Sequence, residues 1–342
     1  MSRPLLSVED LSVTFATHTG SVQALTDVSL NVGAGECLGI VGESGSGKSV
    51  LGRTVMNLLP GNAAIGPGAR ISFDSRDLRA MTRAAAEHFW GREISMVFQD
   101  PMTSLNPVRT IGAQICDPLR YHLGLGRRLA NARAQELLAM VGLTEVSRRL
   151  GQYPHELSGG MRQRVMIAIA MACSPRLMIA DEPTTALDVT VQKQILDLLK
   201  RLQTEQQLAV VLISHDLGLV AEYASRVAVM YAGRIVEVAP ADALASGVRH
   251  RYTEALLRST PKLSMAPHAK LETIPGRPPV MTSLIAGCPF GPRCAHATDI
   301  CHGVHPTLDV SADGSLHTCH HPVGTHDAGP DSDGARTQKE RL

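Results

Sequence analysis

A glycine-rich loop near the N-terminus carries the residues needed to bind the phosphates of a nucleotide. Residues 42–49 read GESGSGKS, which fits the phosphate-loop pattern GxxxxGK(S/T) at every position. Glycine lets the backbone turn so that successive N–H groups point at phosphate oxygens, and the next helix adds its N-terminal dipole. Lys48 is predicted to reach the β- and γ-phosphates, and the Ser49 hydroxyl to bind Mg²⁺. The predicted nucleotide contacts in this loop are Gly42, Ser44, Gly45, Ser46, Gly47, Lys48 and Ser49.

An acidic pair far downstream supplies the residue types that handle a metal ion and a water molecule. Asp181 and Glu182 directly follow the apolar residues 177–180. An acidic pair alone is common on protein surfaces, but at the end of an apolar strand and after a phosphate loop it indicates nucleotide hydrolysis. Asp181 is predicted to hold Mg²⁺, and Glu182 to polarise the attacking water.

A third motif, LSGGMRQR, lies between the other two at residues 157–164. Ser158 suits the N-cap of a helix predicted over 161–172, and Gly159 and Gly160 allow the backbone to approach a ligand closely. The N-terminus of that helix is suited to an anion, although an ordinary helix cap is the alternative interpretation. The three motifs in this order resemble the ABC-type ATPases. In that class two subunits clamp ATP between them, one giving the phosphate loop and the other the LSGG signature.

The resemblance to ABC-type ATPases assigns four further residues. Gln99 matches a glutamine that contacts Mg²⁺ or the attacking water, and His215 matches a histidine that contacts the γ-phosphate. Asp188 matches the loop that crosses the dimer interface. Phe15 lies where these proteins place an aromatic ring against adenine, with a core phenylalanine as the alternative. The implied catalytic residues are Lys48, Gln99, Glu182 and His215; the Mg²⁺ ligands are Ser49, Gln99 and Asp181; the further ATP contacts are Phe15, Ser158, Gly159, Gly160 and Asp188.

Three apolar runs must position this chemistry, because each ends where a motif begins. Residues 37–41 precede the phosphate loop, residues 177–180 the acidic pair, and residues 208–213 the segment with His215. Short continuous apolar runs are typical of strands buried on both faces. Ligands of open parallel α/β sheets bind outside the carboxyl ends of the strands. The runs therefore predict parallel strands with one ligand site at their shared edge.

Other patterns define the domains of the chain. Helices are predicted over 50–59 and 191–203, antiparallel strands over 5–13 and 22–32, and helices with polar turns from about 100 to 154. We expect an α/β fold, a P-loop NTPase (RecA-like) ABC ATPase core with an antiparallel β part, a helical signature insertion and a small cysteine-rich extension. The predicted domains are an ATPase domain at 1–250 with a helical subdomain at about 100–165, the extension at 251–322, and a disordered tail at 323–342.

The seven cysteines divide into two groups. Three lie singly in apolar or helical contexts and are predicted to be small buried residues: Cys37, Cys116 and Cys173. The other four cluster near the C-terminus with the spacing C-x5-C-x6-C-x17-C: Cys288, Cys294, Cys301 and Cys319. Four thiolates suit zinc or an iron–sulfur cluster, but the spacing lacks the CxxC pairs typical of either, and four unligated thiols are also possible. The histidines that could compete as ligands are His302, His305, His320 and His321.

Composition weighs against several functions. The 342 residues carry a net charge of +1 and are only 3% aromatic, which argues against binding nucleic acid. No apolar run approaches the roughly 20 residues needed to span a bilayer. The first residues, MSRPLLSVEDLSV, carry acids where a signal peptide would be apolar, so we expect a cytosolic protein.

Longer stretches resemble the ATP-binding subunits of peptide-type ABC importers, the dipeptide, oligopeptide and nickel group. They include FQDPMTSLNPVRTIGAQI, YPHELSGGMRQRVMIAIAMA, LMIADEPTTALDVTVQKQILDLL and, near the C-terminus, IPGRPPVMTSLIAGCPFGPRC. The resemblance implies that the four clustered cysteines hold a 4Fe–4S cluster, with zinc as the alternative. It also implies a second ATPase subunit (a related, different chain), two transmembrane permeases, an extracytoplasmic substrate-binding protein, and a peripheral location at the cytoplasmic face of the inner membrane.

Two alternatives and the cargo stay open at this level. A soluble, non-transport ABC ATPase acting in repair or translation usually has two cassettes, coiled coils or zinc modules, whereas this sequence has one cassette and no heptads. A regulatory module in which the cysteine region is the main function is the other alternative. An exporter subunit is disfavoured by the C-terminal extension. Dipeptides, longer peptides, nickel chelates and glutathione-like molecules are all compatible cargos.

Overall fold

The computed structural model describes residues 3–18, 20–185, 187–259, 273–279, 281–282, 285–311 and 313–324. Most of the tail predicted at 323–342 lies outside the described residues. The strands are β1 Leu6–Thr17, β2 Gly20–Val32, β3 Cys37–Val41, β4 Ala63–Ile65, β5 Arg70–Phe73, β6 Arg76–Asp77, β7 Ile94–Val97, β8 Leu177–Asp181, β9 Ala209–Ser214, β10 Arg226–Tyr231, β11 Arg234–Pro240, β12 Asp309–Val310 and β13 Leu316–His317.

The α-helices are distributed along the whole chain, with short 3₁₀ turns at Pro154–Glu156 and Gly291–Arg293. They are α1 Lys48–Val55, α2 Arg83–Phe89, α3 Pro101–Ser104, α4 Ile111–Leu123, α5 Arg127–Met140, α6 Val146–Gly151, α7 Gly159–Ala170, α8 Val189–Gln206, α9 Leu217–Tyr223, α10 Ala241–Ser246, α11 Arg251–Ser259 and α12 Asp299–Gly303. No helix in the described ranges has both the length and the apolar character that crossing a bilayer requires.

The main sheet confirms the three strands predicted from the apolar runs. In the described residues its order is β12-β13-β11-β10-β3-β9-β8-β7, and the pairs from β10 to β7 are parallel. Every residue of β3, β8 and β9 is buried, which explains why their sequences are continuously apolar up to the last residue of β8 and of β9 rather than alternating. Because β3, β9 and β8 are adjacent and parallel, the phosphate loop, the acidic pair and His215 follow strand ends at one edge.

A second, antiparallel sheet shares a hydrophobic cluster with alternate residues of the main-sheet strands, such as Leu38 and Ile40 of β3. Its strands are ordered β2-β1-β5-β6, and β4 also pairs with β1. The β1–β2 pair confirms the two antiparallel strands predicted in this region and extends beyond them, with shifts in register between Val8 and Thr14. One hydrophobic cluster joins this sheet to α1, through residues such as Leu25 and Leu51.

The helices begin and end close to the predicted positions, with one clear difference. Helix α1 ends at Val55 rather than at Leu59, because Asn57 adopts a left-handed backbone conformation with φ of 56°. The sequence signal was a proline at position 60, which forbids helix beyond that point but does not fix where the last turn ends. Helices α3 to α6 form the predicted helical insertion between β7 and the signature helix α7.

The predicted C-terminal extension packs against the predicted ATPase domain. Strand β13 pairs with β11, so the extension adds two short strands to the edge of the main sheet. Met281 and Phe290 belong to the same hydrophobic cluster as Val41 and Val229 of the ATPase core. The two predicted domains therefore share apolar contacts within the described residues.

Candidate active site

The phosphate loop connects β3 to α1 in a conformation that depends on glycine. A Cβ atom on Gly42 would lie 2.1 Å from the carbonyl oxygen of Met230 in the neighbouring strand β10. Gly47 has φ of 101°, and a Cβ there would lie 2.8 Å from the Ala24 oxygen. Glycine is required at both positions, since any side chain would push the loop away from the strands that hold it.

Lys48 lies at the centre of this loop with its ammonium group held by backbone oxygens. Its Nζ donates hydrogen bonds to the carbonyl oxygens of Gly42 and Glu43, at 2.7 and 2.9 Å. Burial lowers the pKa of Lys48, and the carboxylates of Glu182 and Asp181 act in the opposite direction. The nearby acids therefore favour the charged ammonium that a phosphate-binding lysine needs.

Asp181 and Ser49 form the part of the site that fits a magnesium ion. The Ser49 hydroxyl donates a hydrogen bond of 2.8 Å to Asp181 Oδ1, while Asp181 Oδ2 is buried and has no hydrogen-bond partner among the residues that the structure describes. Burial raises the pKa of Asp181, and the hydrogen bond from Ser49 opposes this. A buried carboxylate oxygen is costly unless something satisfies it. A hard cation does so, and Mg²⁺ is usually held by one or two carboxylates together with substrate phosphates.

Three other side chains lie close to one carboxylate oxygen of Glu182. Its Oε2 accepts hydrogen bonds from Gln99 Nε2 at 2.9 Å and from Thr185 Oγ1 at 2.8 Å. His215 Nδ1 lies 3.7 Å from the same oxygen. The structure thus brings together Gln99, Glu182 and His215, which the sequence predicted separately. Thr185 was missed, although its hydroxyl three residues after the acid was a usable signal.

One cavity of about 350 Å³ is lined by several of these residues but not by Asp181, Thr185 or His215. Among the described residues its lining contains Ser44, Gly45, Gly47, Lys48, Ser49, Val50, Gln99 and Glu182, together with Val22, Gln23, Ala24, Pro279 and Met281. Phe15, predicted to contact adenine, is not in this lining, but it pairs across the sheet with Val22, which is. Pro279 and Met281 of the extension were not predicted to lie here.

The LSGG signature lies outside this cavity. Ser158 is the N-cap of α7 and accepts a 3.3 Å hydrogen bond from the Met161 N–H. Asp188 is the N-cap of α8 and accepts from the Val191 N–H at 3.0 Å. A Cβ on Gly160 would lie 2.6 Å from Val191 Cγ1, so the two helix starts pack against each other. Neither helix start lines the chain's own nucleotide cavity, as expected if the signature serves a partner.

The clustered cysteines are close enough for their thiols to interact electrostatically. The pKa of Cys288 is raised to about 11, mainly by burial and to a smaller extent by the thiols of Cys319 and Cys301, while backbone N–H groups act in the opposite direction. Cys294 is influenced by the same two thiols. In the described part of the chain, no group of three or more His, Cys, Asp or Glu has the arrangement needed to hold a single metal ion.

The remaining cysteines and the nearby histidines have other surroundings. Cys37 and Cys173 are buried, which confirms their prediction, whereas Cys116 is only half-buried. Three of the histidines considered as competing ligands make hydrogen bonds elsewhere. The bonds are His305 Nδ1 with the Pro306 oxygen at 2.9 Å, His320 Nε2 with the Val304 oxygen at 2.9 Å, and His321 Nε2 with Thr298 Oγ1 at 2.7 Å.

Two family models match the chain. The model described as ABC transporter covers residues 25–185, which include the phosphate loop, the signature and the acidic pair. The model described as oligopeptide/dipeptide transporter, C-terminal region, covers residues 236–301. The second match contains Cys288, Cys294 and Cys301 but not Cys319.

Curated relatives are similar to this chain over nearly its full length. A candidate peptide import ATP-binding protein of Brucella abortus (strain 2308) is 50% identical over 319 residues, covering 90% of this chain and 94% of that protein. The oligopeptide transport ATP-binding protein OppD of Salmonella typhimurium is 47% identical, with 93% and 94% covered. The dipeptide transport ATP-binding protein DppD of Escherichia coli (strain K12) is 46% identical, with 93% and 97% covered.

Solved ATP-binding cassettes share the fold of most of the chain. The dimeric cassette MJ0796, in a post-hydrolysis state bound to ADP and Pi, matches with a TM-score of 0.61 and 29% identity. The match covers 69% of this chain and 98% of that chain. Almost the whole length of that cassette is matched. The part of this chain that lies outside the match therefore has no counterpart in the cassette.

Proposed function

This chain belongs to the ABC transporter family as an ATP-binding subunit of its peptide-import group, and we propose how its residues use ATP to drive peptide uptake. It is an ATPase. The observation that carries the proposal is that Lys48, Ser49 and Glu182 line one cavity, while Asp181 is hydrogen-bonded to Ser49 directly behind it. Similarity to peptide-import proteins over 90% of the chain favours this function over a non-transport ATPase of the repair or translation type.

The binding step uses the phosphate loop and the Ser49–Asp181 pair. The loop N–H groups and Lys48 bind the phosphates of ATP, and the ammonium exchanges its bonds with the loop carbonyls for phosphate oxygens. Ser49 and Oδ2 of Asp181 would hold Mg²⁺, with Gln99 alongside. When bound there, the ion would supply neutralisation of the charge that develops on the phosphates during transfer.

The hydrolysis step depends on Glu182. Its carboxylate accepts a proton from the attacking water or polarises it, while Gln99 and Thr185 hold one of its oxygens in place. His215, whose side chain is 65% exposed, is available to contact the γ-phosphate from the open side of the cavity. Catalysis therefore consists mainly of positioning and charge stabilisation.

A second ATPase subunit completes the site. Ser158, Gly159 and Gly160 lie away from their own cavity, so they are free to close over ATP bound to a partner, and the partner's signature closes over this one. We propose that the partner is a related, different chain. The helical insertion, which follows Gln99 directly, grips two membrane permeases at the cytoplasmic face of the membrane. A substrate-binding protein delivers peptide from the other side.

The test of this function is ATP hydrolysis by the assembled importer in proteoliposomes. The rate of ATP hydrolysis should rise when the binding protein and a peptide are added together. In a complex that contains the Lys48→Ala chain, whose phosphate loop is inactive, this rise should be absent. A rate of ATP hydrolysis that stays the same after both additions, in a fully assembled complex, would contradict a transport role.

We also propose that Cys288, Cys294, Cys301 and Cys319 hold a 4Fe–4S cluster. The support is the mutual influence of the thiols, the backbone N–H groups directed at three of them, and the match to the transporter C-terminal region. A single zinc ion, held at Zn–S distances of about 2.3 Å, is the alternative for the same four thiols. When bound, the cluster would link four chain segments and be able to exchange an electron.

Metal analysis separates the two possibilities. About four irons and four acid-labile sulfides per chain after anaerobic purification, with a visible band that bleaches on reduction, would support the cluster. One zinc without sulfide would replace it with a redox-inactive site and leave the ATPase assignment unchanged.

A further inference from the structure

A segment of the C-terminal extension lies in the wall of the nucleotide cavity. We call residues 273–279 together with 281–282 the arm. Pro279 and Met281 of the arm line the same cavity as Lys48 and Glu182. The rest of that lining comes from the ATPase domain, so the extension contributes directly to the site.

The arm is fixed to the antiparallel sheet by backbone and apolar contacts. The Gln23 N–H donates a 2.7 Å hydrogen bond to the Met281 carbonyl oxygen. The Met281 side chain is 8% exposed and belongs to the large hydrophobic cluster of the core. A buried side chain held at a strand edge has few alternative positions, so Met281 is a defined part of the wall.

One arginine joins the arm to the phosphate loop. Arg293 donates two hydrogen bonds to the Glu43 carboxylate, from Nη1 at 2.6 Å and from Nη2 at 3.0 Å. Its Nε donates to the Pro275 oxygen of the arm at 2.7 Å. Glu43 is the second residue of the loop, and its own carbonyl accepts from Lys48. The same guanidinium therefore sets the distance between the arm and the phosphate-binding residues.

The two parts of the cavity wall suit two parts of a nucleotide. Lys48, Ser49 and the loop N–H groups suit the triphosphate. The wall formed by Val22, Ala24, Pro279 and Met281 is apolar and suits a flat heterocycle. Phe15 is not in that wall, and a methionine thioether is polarisable and packs well against aromatic rings.

We propose that the arm is a base-binding element and that Met281 contacts the adenine ring of ATP bound in this chain's cavity. The inference rests on the proposed use of this cavity for ATP. The extension then has a second role besides its cysteines, because it completes the nucleotide site of its own chain. Arg293 acts as a positioning residue, because it holds the arm and the phosphate loop at a fixed distance from each other.

The test compares a ligand that has a base with one that lacks it. The affinities of the Mg²⁺ complexes of AMPPNP and of inorganic tripolyphosphate are measured by calorimetry for the full chain and for Met281→Ala. The substitution should weaken AMPPNP binding roughly fivefold to tenfold, as expected for loss of a buried apolar contact. Tripolyphosphate affinity should change less than twofold. Met171→Ala, which truncates another buried methionine outside the cavity, is the control and should leave both affinities unchanged.

Two outcomes would overturn the inference. One is an unchanged AMPPNP affinity in Met281→Ala, and the other is an equal loss for both ligands, which would indicate a general disturbance of the loop. If the full chain binds neither ligand, the proposed function of the cavity fails instead.

A measurement on the unmodified side chain covers the case in which Met281→Ala does not fold. The ¹³C-methyl resonance of Met281, assigned with Met281→Leu, should shift on adding AMPPNP because of the ring current of the base. It should stay in place on adding tripolyphosphate. An unchanged chemical shift of this methyl resonance at saturating AMPPNP would contradict contact with the base.

Discussion

Glu182 Oε2 receives hydrogen bonds from both Gln99 and Thr185, so both of these contacts are made by the same carboxylate oxygen. Glu182 also has a left-handed backbone conformation, with φ of 47°. Such a conformation is unfavourable for a non-glycine residue and persists only where surrounding contacts impose it. Here the strand end at Asp181 and the two hydrogen bonds supply those contacts, so the carboxylate is oriented before ATP binds.

The first prediction follows from this orientation. Glu182→Gln keeps the shape and size of the side chain and one acceptor oxygen. It removes the negative charge that is proposed to polarise water. Steady-state ATP hydrolysis should fall at least about 100-fold, within the range of general-base contributions, whereas equilibrium ATP binding should be retained. Glu205→Gln, on the exposed face of α8, is the matched control and should behave as wild type. Normal hydrolysis by Glu182→Gln would remove this residue from the mechanism.

Residues in contiguous motifs can be proposed as site residues from the sequence alone. The types and spacing of Lys48, Ser49, Asp181 and Glu182 indicate phosphate and metal chemistry, and burial on both faces makes the preceding strands apolar and therefore recognisable. By contrast, Glu43 and Arg293 are 250 positions apart, and neither has a neighbour that indicates the pairing. Met281 has no distinguishing pattern at all, because its role depends only on where the arm packs.

At the level of secondary structure elements, the phosphate loop is held by its contact with β10. Gly42→Ala would place a methyl group 2.1 Å from the Met230 oxygen, a distance that forces the loop or the strand to move. We expect a loss of about 2 kcal/mol or more in the free energy of unfolding, together with weaker ATP binding. Gly68→Ala meets no atom within 4 Å and should change the free energy of unfolding by less than about 0.5 kcal/mol. Denaturant unfolding of both variants gives the comparison, and equal stability would refute the steric argument.

The signature helix α7 gives a second prediction at this scale. Since Ser158 caps α7 outside its own cavity, Ser158→Arg should leave ATP binding by this chain within about twofold of wild type. ATP hydrolysis at the partner's site should be lost, because a bulky cation blocks the helix N-terminus that closes over the partner's γ-phosphate. Binding by the isolated chain and hydrolysis by the assembled pair are measured separately. Loss of binding in the isolated chain would contradict the assignment of Ser158 to the partner's site.

At the scale of the whole molecule, the Arg293–Glu43 pair connects the extension to the ATPase domain. The two side chains are 5% and 24% exposed, so removing one charge leaves the other poorly solvated. Arg293→Met should lower the free energy of unfolding by about 3 kcal/mol. A double-mutant cycle with Glu43→Gln should give a coupling free energy of about 1–3 kcal/mol. The exposed Arg83–Glu87 pair serves as the comparison and should show little coupling; equal coupling in the two pairs would argue against a structural link.

The extension also shows what domain boundaries drawn from composition leave out. The sequence becomes richer in Pro, Gly, His and Cys after about residue 247, and the extension is predicted to begin at residue 251. Composition could not show that β13 joins the main sheet or that Phe290 packs with Tyr231 and Tyr252. The long-range pairing of short strands and single aromatic contacts depend on the fold of the whole chain. They therefore cannot be predicted from local sequence patterns.

The most direct test of the central claim is peptide uptake in cells. A strain that lacks the gene for this chain is complemented with wild-type, Glu182→Gln or Glu205→Gln protein at equal levels, and the entry of a radiolabelled dipeptide and a longer peptide is measured. The account predicts that wild type and Glu205→Gln restore uptake of at least one peptide and that Glu182→Gln restores none. Equal uptake with Glu182→Gln would show that ATP hydrolysis at this site does not power peptide import.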